Sequence, residues 1–421
     1  MSETHTSTRT IDDAERRARL AVRHRLARAA RAATAEEVGD SLVALHGTDP
    51  ASVFLAVGAR LAGDAGPVAT TESALYEDRS LIRMHGMRHT VFVFPSSLAP
   101  AVQSSTTHPA AVRERTLLVR HLAEGSSFVE AWLAEAERLV LAELAVRGEA
   151  TGTELGAAVP RLRETYVYGP GTRQEGVQSV ASRVLRVLGM AGRIVRGRPQ
   201  GAWTSSRFRW ALAEEHPPVP AAEARAELIG RWLAACGPAT EADLKWWTGW
   251  KVTDVRGALA AVGAVPVTLS GSGSGARSGS GSGAGSGSRS VAGAGAQGTG
   301  FVLPDDLDPV PAPEPWAALL PALDPTAMGW QARDWYQDPE HRAALYDRSG
   351  NIAPTVWWDG RIVGVWAQRP DGEIARRLLA DVGGEAERAI GAEAARLAAW
   401  VGDVRVTPRF RTPLERELAA P

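Results

Sequence analysis

Residues 173–209 read RQEGVQSVASRVLRVLGMAGRIVRGRPQGAWTSSRFR, and they contain eight arginines against a single carboxylate, Glu175. Apolar residues recur in the first half of this stretch at steps of three and four, which places them on one face of a helix. They are Val177, Val180, Val184, Val187 and Leu188. Gly189 and Gly192 follow and help to terminate the helix. The segment therefore predicts an amphipathic, arginine-rich helix.

A short hairpin is predicted directly after this helix. Residues 193–196 (RIVR) form one strand, residues 197–201 (GRPQG) form a tight turn, and residues 202–204 (AWT) form the returning strand. A helix that packs on a hairpin with cations at its tip is typical of a winged helix. Its helix can enter the major groove of DNA while the hairpin lies along phosphates or the minor groove. The alternative is a helix and hairpin with a solvated, charged face.

The composition is that of an ordinary globular chain without a global charge bias. Its 421 residues are enough for about two to four domains. Hydrophobic residues make up 44% of the chain and charged residues 23%, and the formal net charge is −1. The basic excess of residues 173–209 is therefore local, and binding depends on the local field. Only Lys245 and Lys251 are lysines among the 47 basic residues, and arginine suits bidentate contacts to phosphate and guanine.

Several kinds of protein are excluded by what the sequence lacks. Cys236 is the only cysteine, which excludes intrachain disulfides and multi-cysteine metal sites and fits a reducing cytosol. No run of 18 apolar residues is present, and residues 1–10 lack the apolar core of a signal peptide. The glycine-rich residues 271–287 lack the Lys-Ser/Thr ending of a phosphate loop. We expect no metal, no cofactor and no membrane partner.

The order of predicted elements indicates an α+β, mainly helical fold: three tandem winged-helix units and a small β-rich C-terminal region. The expected boundaries are a disordered tail over residues 1–12, winged-helix units over residues 13–125, 126–215 and 220–315, and an α+β region over residues 316–421. In the first unit we predict helices over residues 11–33, 34–46, 51–61 and 71–76 and a strand pair over residues 81–94. Each later unit repeats the order of helices followed by strands.

Two other segments are predicted to connect pairs of strands. Residues 270–300 are low-complexity Gly/Ser sequence between a predicted strand that ends at Leu269 and a returning strand at residues 301–303. This placement favours an elongated wing of the third unit, and the alternative is a plain linker. Asp359-Gly360 separates two alternating apolar runs, which predicts a tight hairpin.

Four local patterns occur in order between about residues 15 and 370. They are LHGTDP at residues 45–50 with a helix ending in Ala59-Arg60, MRHT at residues 87–90, GPAT at residues 237–240 with Trp246-Trp247, and LLPALDP at residues 319–325 before the hairpin at residues 354–366. Together they resemble the winged-helix DNA-binding proteins that include the AlkZ-like and YcaQ-like bacterial DNA glycosylases. The resemblance implies three winged helices arranged around duplex DNA and excision of alkylated or bulky-adduct bases.

The resemblance also locates the reacting residues. The family's glycosylases carry a Gln–apolar–Gln or Gln–apolar–Asp motif that positions the hydrolytic water, and the matching positions here are His46, Gly47 and Thr48. Hydrolysis of an N-glycosidic bond needs a water at the sugar C1′ and a group that orients or deprotonates it. His46 could accept the proton, Thr48 could hold the water and Asp49 could stabilise the cationic sugar. Two alternatives remain: Asp49 as a helix N-cap, and His46 as a partner of helix C-terminal carbonyls.

Cationic side chains are the predicted DNA contacts. They are Arg60, Arg88, Arg173, Arg183, Arg186, Arg193, Arg196 and Arg198. His85 and His89 either line the same pocket as His46 or face solvent, and solvent exposure is the preferred expectation for His85. The clustered tryptophans, which include Trp246, Trp247, Trp250, Trp357, Trp358 and Trp366, are interpreted as core rather than as base-stacking platforms.

Three classes of function fit these observations: a monofunctional DNA glycosylase, a DNA-binding or regulatory homologue without catalysis, and a protein-interaction module. The altered Gln motif argues against the first, and the arginine-rich wing argues against the third. We therefore expect a DNA-binding protein, and we keep glycosylase activity as a second hypothesis. Its expected partner is double-stranded, damaged or alkylated DNA, and its expected state is a cytoplasmic, nucleoid-associated monomer.

Overall fold

The computed structural model describes residues 9–63, 66–271 and 297–421. Helices and strands are both abundant, which confirms the α+β class. The chain divides into two compact units, Ala32–Leu228 and Met1–Arg31 together with Ile229–Pro421, and the division falls within the helix Ala221–Cys236. Within the described ranges, every helix is too short or too polar to cross a bilayer.

A three-stranded antiparallel sheet organises the first part of the unit Ala32–Leu228. Its central strand, Val91–Pro95, pairs with Leu45–His46 on one side and with Leu81–His85 on the other. Thr34 begins the first helix because its side chain accepts a hydrogen bond from the Glu37 backbone N–H. In chain order the elements are the helix Ala35–Leu42, the strand Leu45–His46, the helices Pro50–Gly58 and Pro67–Glu72, a π-helical turn Ser73–Glu77, and the strands Leu81–His85 and Val91–Pro95.

A second three-stranded sheet follows within the same unit. Phe208–Leu212 is its central strand and pairs with Glu149–Ala150 and Ile194–Pro199. Thr151 and Glu154 form a capping box, in which each side chain accepts a hydrogen bond from the other residue's backbone N–H. In chain order the helices and strands are Ala99–Val102, His108–Gly125, Glu130–Arg147, Glu149–Ala150, Gly152–Ala158, Thr165–Tyr168, Gly176–Ser179, Val180–Met190, Ile194–Pro199 and Phe208–Leu212.

The predicted amphipathic helix is present but begins later than the apolar pattern suggested. It spans Val180–Met190, and its apolar face is buried against the helix Glu130–Arg147 in one core. Val177 lies outside it and is 72% exposed, because Gly176–Ser179 pairs as a strand with Thr165–Tyr168. The glycine-rich turn between these strands carries Arg173, so this arginine is not on the helix.

The predicted hairpin is also present, but its second strand was placed too early. The paired strands are Ile194–Pro199 and Phe208–Leu212, so residues 202–204 belong to the connecting loop. Trp203 is buried and packs on Phe54 at 5.2 Å between ring centroids. Burial of this aromatic ring holds the loop against the helix Pro50–Gly58, which the alternation of residue types could not show.

The other unit contains a third three-stranded sheet. Val265–Ser270 is central, pairing antiparallel with Gln297–Val302 and parallel with Thr10–Asp12. The helices Glu241–Thr248 and Val252–Ala261 precede it, and an isolated bridge joins Ala239 to Phe301. The predicted returning strand is therefore confirmed, and the plain-linker alternative is wrong because the residues between the two strands join a hairpin. Residues 272–296, on which the rest of that expectation falls, lie outside the described residues.

Two expectations at the N-terminus are wrong. Residues 10–12 form a strand with Ile11 fully buried rather than part of a disordered tail, and residues 1–8 lie outside the described residues. The long helix expected over residues 11–33 is limited to Asp13–Arg23, with a short 3₁₀ turn at Arg28–Ala30. Asp12 caps the helix by accepting from the Glu15 backbone N–H at 2.8 Å. Sheet pairing of residues 10–12 thus overrides helix propensity at the start of the Arg/Ala-rich sequence.

A four-stranded antiparallel sheet forms the C-terminal region. Asp359 and Gly360 connect two of its strands with φ values of 42° and 80°, so the predicted tight hairpin is confirmed. Trp247, Trp357 and Trp366 are buried, as expected for core residues, whereas Trp246, Trp250 and Trp358 are partly buried. The strands are Ala317–Leu320, Thr355–Trp358, Arg361–Gln368 and Ile374–Leu378, and the helices are Pro325–Met328, Arg342–Leu345, Gly383–Val401 and Pro413–Leu418.

Candidate active site and nucleic-acid interface

The segment His46–Asp49 connects a strand to a helix within the unit Ala32–Leu228. His46 ends the strand Leu45–His46, so the expectation that it ends a helix is wrong; that helix stops at Leu42. The Gly47 backbone N–H donates to the Val91 carbonyl at 2.9 Å. A Cβ atom at Gly47 would lie 3.1 Å from the Phe92 carbonyl carbon, so the close approach of the two strands favours glycine.

Asp49 is the N-cap of the helix Pro50–Gly58. Its Oδ1 accepts a hydrogen bond from the Ala51 backbone N–H at 3.1 Å, and Pro50 occupies the first helical turn. The side chain is 5% exposed. The capping alternative is therefore confirmed, and the first role of this carboxylate is to hold the helix start.

His46 is partly buried, and its ring packs on a neighbouring strand. Its ring lies 5.1 Å from the Phe92 ring, and its Nδ1 is buried without a hydrogen bond from the described residues. Burial, together with the nearby charge of Arg88, lowers the pKa of His46 to about 4. The imidazole is thus neutral at physiological pH, and it is a weaker proton acceptor than an ordinary histidine.

Thr48 lies on a cleft of about 380 Å³, here called the Thr48 cleft. This cleft gathers polar and cationic side chains from both three-stranded sheets of the unit and from the helix Val180–Met190. It is lined by Thr48, His85, His89, Thr90, Val91, Ser182, Arg186, Arg196 and Trp210. Among the three predicted reacting residues, Thr48 is the one that the structure places on this cleft.

His85 also lines the Thr48 cleft, so the preferred expectation of solvent exposure is wrong. It is 7% exposed on the strand Leu81–His85. Burial lowers its pKa to about 4, and the charges of Arg196 and Arg186 act in the same direction. A second neutral imidazole therefore lines the cleft together with Arg186 and Arg196.

A carboxylate that the sequence did not reveal stands beside His89. Glu114 Oε1 is 3.9 Å from His89 Nδ1, and Glu114 Oε2 is 3.6 Å from Arg186 Nη2. Arg88 and His89 have φ values of 53° and 59°, a left-handed conformation that costs free energy in residues other than glycine. These two strained residues lie between the strands Leu81–His85 and Val91–Pro95, and His89 lies next to Glu114. Glu114 lies on a long helix with no local motif, so no sequence signal marked it.

The predicted DNA contacts fall into different environments. Arg60 is fully buried and its Nη1 donates to the Ala56 carbonyl at 2.8 Å, so a phosphate could not reach it; Arg60 is a correction to the predicted set. Arg198 forms ion pairs with Glu72 at 2.8 Å and with Glu77 at 3.1 Å. Arg196 stacks over the Phe208 ring at 4.1 Å. Exposed positions are occupied by Arg88, Arg173 and Arg193.

Arg183 and Arg186 line a second groove of about 300 Å³ on the same helix. Its other walls include Tyr166, Tyr168 and His121, and the Tyr168 and His121 rings meet edge to face at 4.9 Å. Aromatic rings next to guanidinium groups suit a nucleic acid, because bases stack on rings while phosphates pair with arginine. Across residues 9–63, 66–271 and 297–421, His, Cys, Asp and Glu side chains form no cluster suited to a metal ion.

Comparison with known proteins agrees with the family resemblance that the sequence shows. A family model for "DNA glycosylase AlkZ-like" matches residues 40–400, which include the His46–Asp49 segment. The chain is similar to the solved structure of the Streptomyces sahachiroi DNA glycosylase AlkZ, with 20% identity, a TM-score of 0.64, and coverage of 94% of this chain and 99% of that one. No curated protein matches the chain. At this identity the structural likeness shows the fold alone.

Proposed function

The chain belongs to the AlkZ-like DNA glycosylase family, and we propose that it binds duplex DNA through three winged-helix units and acts on damaged bases at the Thr48 cleft. The order helix, short strand, helices and hairpin supports one such unit around each of the three-stranded sheets. In the third unit, the isolated bridge between Ala239 and Phe301 takes the place of the short strand. In such units one helix enters the major groove and the hairpin contacts the backbone.

The observation that carries this proposal is the composition of the Thr48 cleft. Arg186 and Arg196 line it together with a hydroxyl, two histidines and Trp210. Guanidinium groups attract and position phosphates, whereas Thr48 and the neutral His85 can act on a sugar or base. We propose that Arg88, Arg173, Arg183 and Arg193 extend this cationic surface, and that the partner is damaged or alkylated double-stranded DNA.

The proposed reaction is hydrolysis of an N-glycosidic bond. A base that carries a positive charge after alkylation leaves with the bonding electrons as a neutral molecule, so no acid is needed for its departure. We propose that the Thr48 hydroxyl holds the water that attacks C1′. The water's proton passes to a neutral imidazole, either His46, as the family motif suggests, or His85, which lines the cleft. We propose that Glu114, which contacts His89 and Arg186 of the cleft, favours the cationic sugar.

The proposed activity is monofunctional. Residues 32–228 contain no lysine. A glycosylase that also cleaves the DNA strand needs an amine that attacks the sugar carbon, and lysine is the side chain that supplies one. Water is therefore the nucleophile that fits this unit.

A second candidate function is DNA binding without catalysis, as a regulatory or damage-sequestering homologue. The burial of His46 favours it, because its Nδ1 is covered and its pKa is lowered to about 4 where the family has a glutamine. Both functions require DNA binding, and they differ in base release.

The binding part is tested by reversing charge at the cleft. Arg186→Glu and Arg196→Glu are each expected to weaken binding to a fluorescein-labelled duplex, measured by anisotropy. Arg120→Glu is the matched control, because Arg120 is 62% exposed and lies outside the cleft. Equal losses in all three variants would indicate a nonspecific charge effect and contradict the assignment of the interface to the cleft.

A further inference from the structure

A second cavity lies inside the unit Ala32–Leu228, beside the Thr48 cleft. It has a volume of about 200 Å³ and is walled by the strands Leu81–His85 and Ile194–Pro199. Most of its lining is apolar or glycine, and Tyr76 contributes one aromatic ring. A volume of this size suits a ligand smaller than the drug-sized molecules that fill pockets of about 300–1,000 Å³.

Arg83 is the unusual residue of this cavity. It lines the wall, is 3% exposed, and its Nε and Nη2 have no hydrogen-bond partner among the described residues. A buried guanidinium without hydrogen bonds is costly, and such groups are normally paired with an anion. The Tyr76 hydroxyl is likewise buried without a hydrogen bond from the described chain. A cation and a hydroxyl donor thus stand together without an acceptor.

The remaining charges of the wall do not supply that acceptor. Four arginines and two glutamates line the cavity, which leaves it cationic. One of the glutamates, Glu149, is paired with Arg209 at 2.9 Å. Arg198 closes one edge, where its guanidinium lies 5.1 Å from the Tyr76 ring and pairs with Glu72 and Glu77. The Asp49 carboxylate attracts Arg83 electrostatically, but Arg83 Nε and Nη2 keep no hydrogen-bond partner in the described chain. The cavity therefore offers an apolar body and a guanidinium whose hydrogen-bond donors are unsatisfied.

We propose that this cavity binds a small organic anion, namely a compact apolar or aromatic molecule that carries one carboxylate or phosphate group. The anionic oxygens pair with Arg83 and accept from the Tyr76 hydroxyl, and the apolar body fills the space between the two strands. Arg83 is the positioning cation of the site. Carboxylate and phosphate share this chemistry, because each presents two adjacent oxygens to a guanidinium.

The site is connected to the Thr48 cleft through shared residues. Arg196 lines both cavities, and Arg83 and His85 are alternate residues of the strand Leu81–His85, which share one face. An anion beside Arg196 reduces the positive field that attracts phosphates. Binding of the small anion is therefore expected to lower affinity for DNA, and DNA is expected to lower affinity for the anion by the same factor.

Thermal unfolding of the full chain tests the proposal without DNA. The probes are benzoate, phenyl phosphate and inorganic phosphate. We expect benzoate or phenyl phosphate to raise Tm saturably, by about 2 °C when the probe exceeds its Kd tenfold. Arg83→Met, which keeps a long apolar stem, and Tyr76→Phe, which removes only the hydroxyl, should each abolish or weaken the shift. Arg120→Met is the matched control and should respond like the wild type.

Each outcome supports or overturns the proposed anion site. A saturable shift that is lost in Arg83→Met supports the site, and the stronger of the two aromatic probes identifies the anionic group. A shift with inorganic phosphate alone would overturn the apolar part of the ligand. No shift with any probe up to about 10 mM, or equal shifts in the wild type and the Arg83 and Tyr76 variants, would overturn the proposal. If Arg83→Met does not fold, Tyr76→Phe and Arg83→Lys carry the same comparison.

Discussion

The arginines in and next to the hairpin Ile194–Pro199/Phe208–Leu212 are predicted to contribute unequally to DNA binding. Arg193 is exposed and forms no ion pair within the described residues. Arg198, in contrast, already neutralises Glu72 and Glu77. A cation that is paired in the free protein gains little from a phosphate, whereas an unpaired one releases a counterion from the DNA.

The magnitude follows from counterion release. Each neutralised phosphate contributes about 0.9 to the slope of log K against log[salt]. Arg193→Gln should therefore flatten the slope by about 0.9, so that the variant loses about 3-fold less affinity than the wild type between 50 and 200 mM salt. Arg198→Gln should change the slope far less. The double variant Glu72→Gln/Glu77→Gln frees Arg198 and should steepen the slope by up to about 0.9.

The assay is fluorescence anisotropy with a labelled duplex of about two helical turns at five salt concentrations. Arg120→Gln provides the control for a general loss of charge. The combined variant Arg193→Gln/Arg196→Gln/Arg198→Gln should weaken binding and flatten the slope. Unchanged affinity and slope in this triple variant would refute the role of the hairpin. Equal slopes for Arg193→Gln and Arg198→Gln would refute the argument from ion pairing.

Three further predictions concern stability and folding. The pKa of each of His46 and His85 is lowered to about 4. Between about pH 6.5 and 4 the unfolded chain therefore binds more protons than the native one. The free energy of unfolding should fall as pH drops through this range, by at most about 3 kcal/mol for each ring. Urea unfolding at several pH values checks this, and His46→Gln/His85→Gln should show a flatter profile. Thr151→Ala removes a capping box and should cost about 1 kcal/mol in urea unfolding, whereas Thr116→Ala on an exposed helix face should cost much less. Removal of about 20 residues from 272–296 should shift stability by under roughly 1 kcal/mol, because loop closure depends weakly on length; loss of the cooperative transition would contradict this.

Much of the fold could be predicted because local patterns and the structure agree. The apolar face of the helix Val180–Met190, the Asp359-Gly360 turn and the strands around residues 270–300 all follow from spacing and turn chemistry. The errors arose where distant residues decide the conformation. Ile11 pairs in a sheet with strand residues more than 250 positions away, and Trp203 packs on Phe54. Neither contact leaves a periodic signal in the sequence.

The candidate site was only partly predictable for the same reason. Thr48 and the Asp49 cap could be predicted from the Thr-Asp-Pro sequence, and the arginines around the hairpin from their density. The burial of Arg60 and of the His46 Nδ1 atom could not, because it depends on packing from other elements. Glu114 and His85 enter the site through tertiary contacts alone, and the pairing of Arg198 with Glu72 joins residues 126 positions apart.

Base release from alkylated duplex DNA tests the central claim most directly. Single-turnover release of N7-methylguanine by the wild type would be compared with Thr48→Val, His46→Ala and His85→Ala, and with Thr116→Val and His108→Ala as exposed controls on the helix His108–Gly125. We predict release by the wild type and both controls, loss with Thr48→Val, and a loss of about 10²–10⁴-fold in whichever histidine variant removes the proton acceptor. The rate should hold from pH 8 down to about 5 and fall near pH 4, where both imidazoles become protonated. A wild-type protein that binds the duplex but releases no base would contradict the catalytic account, and full activity in Thr48→Val would place the reaction outside the Thr48 cleft.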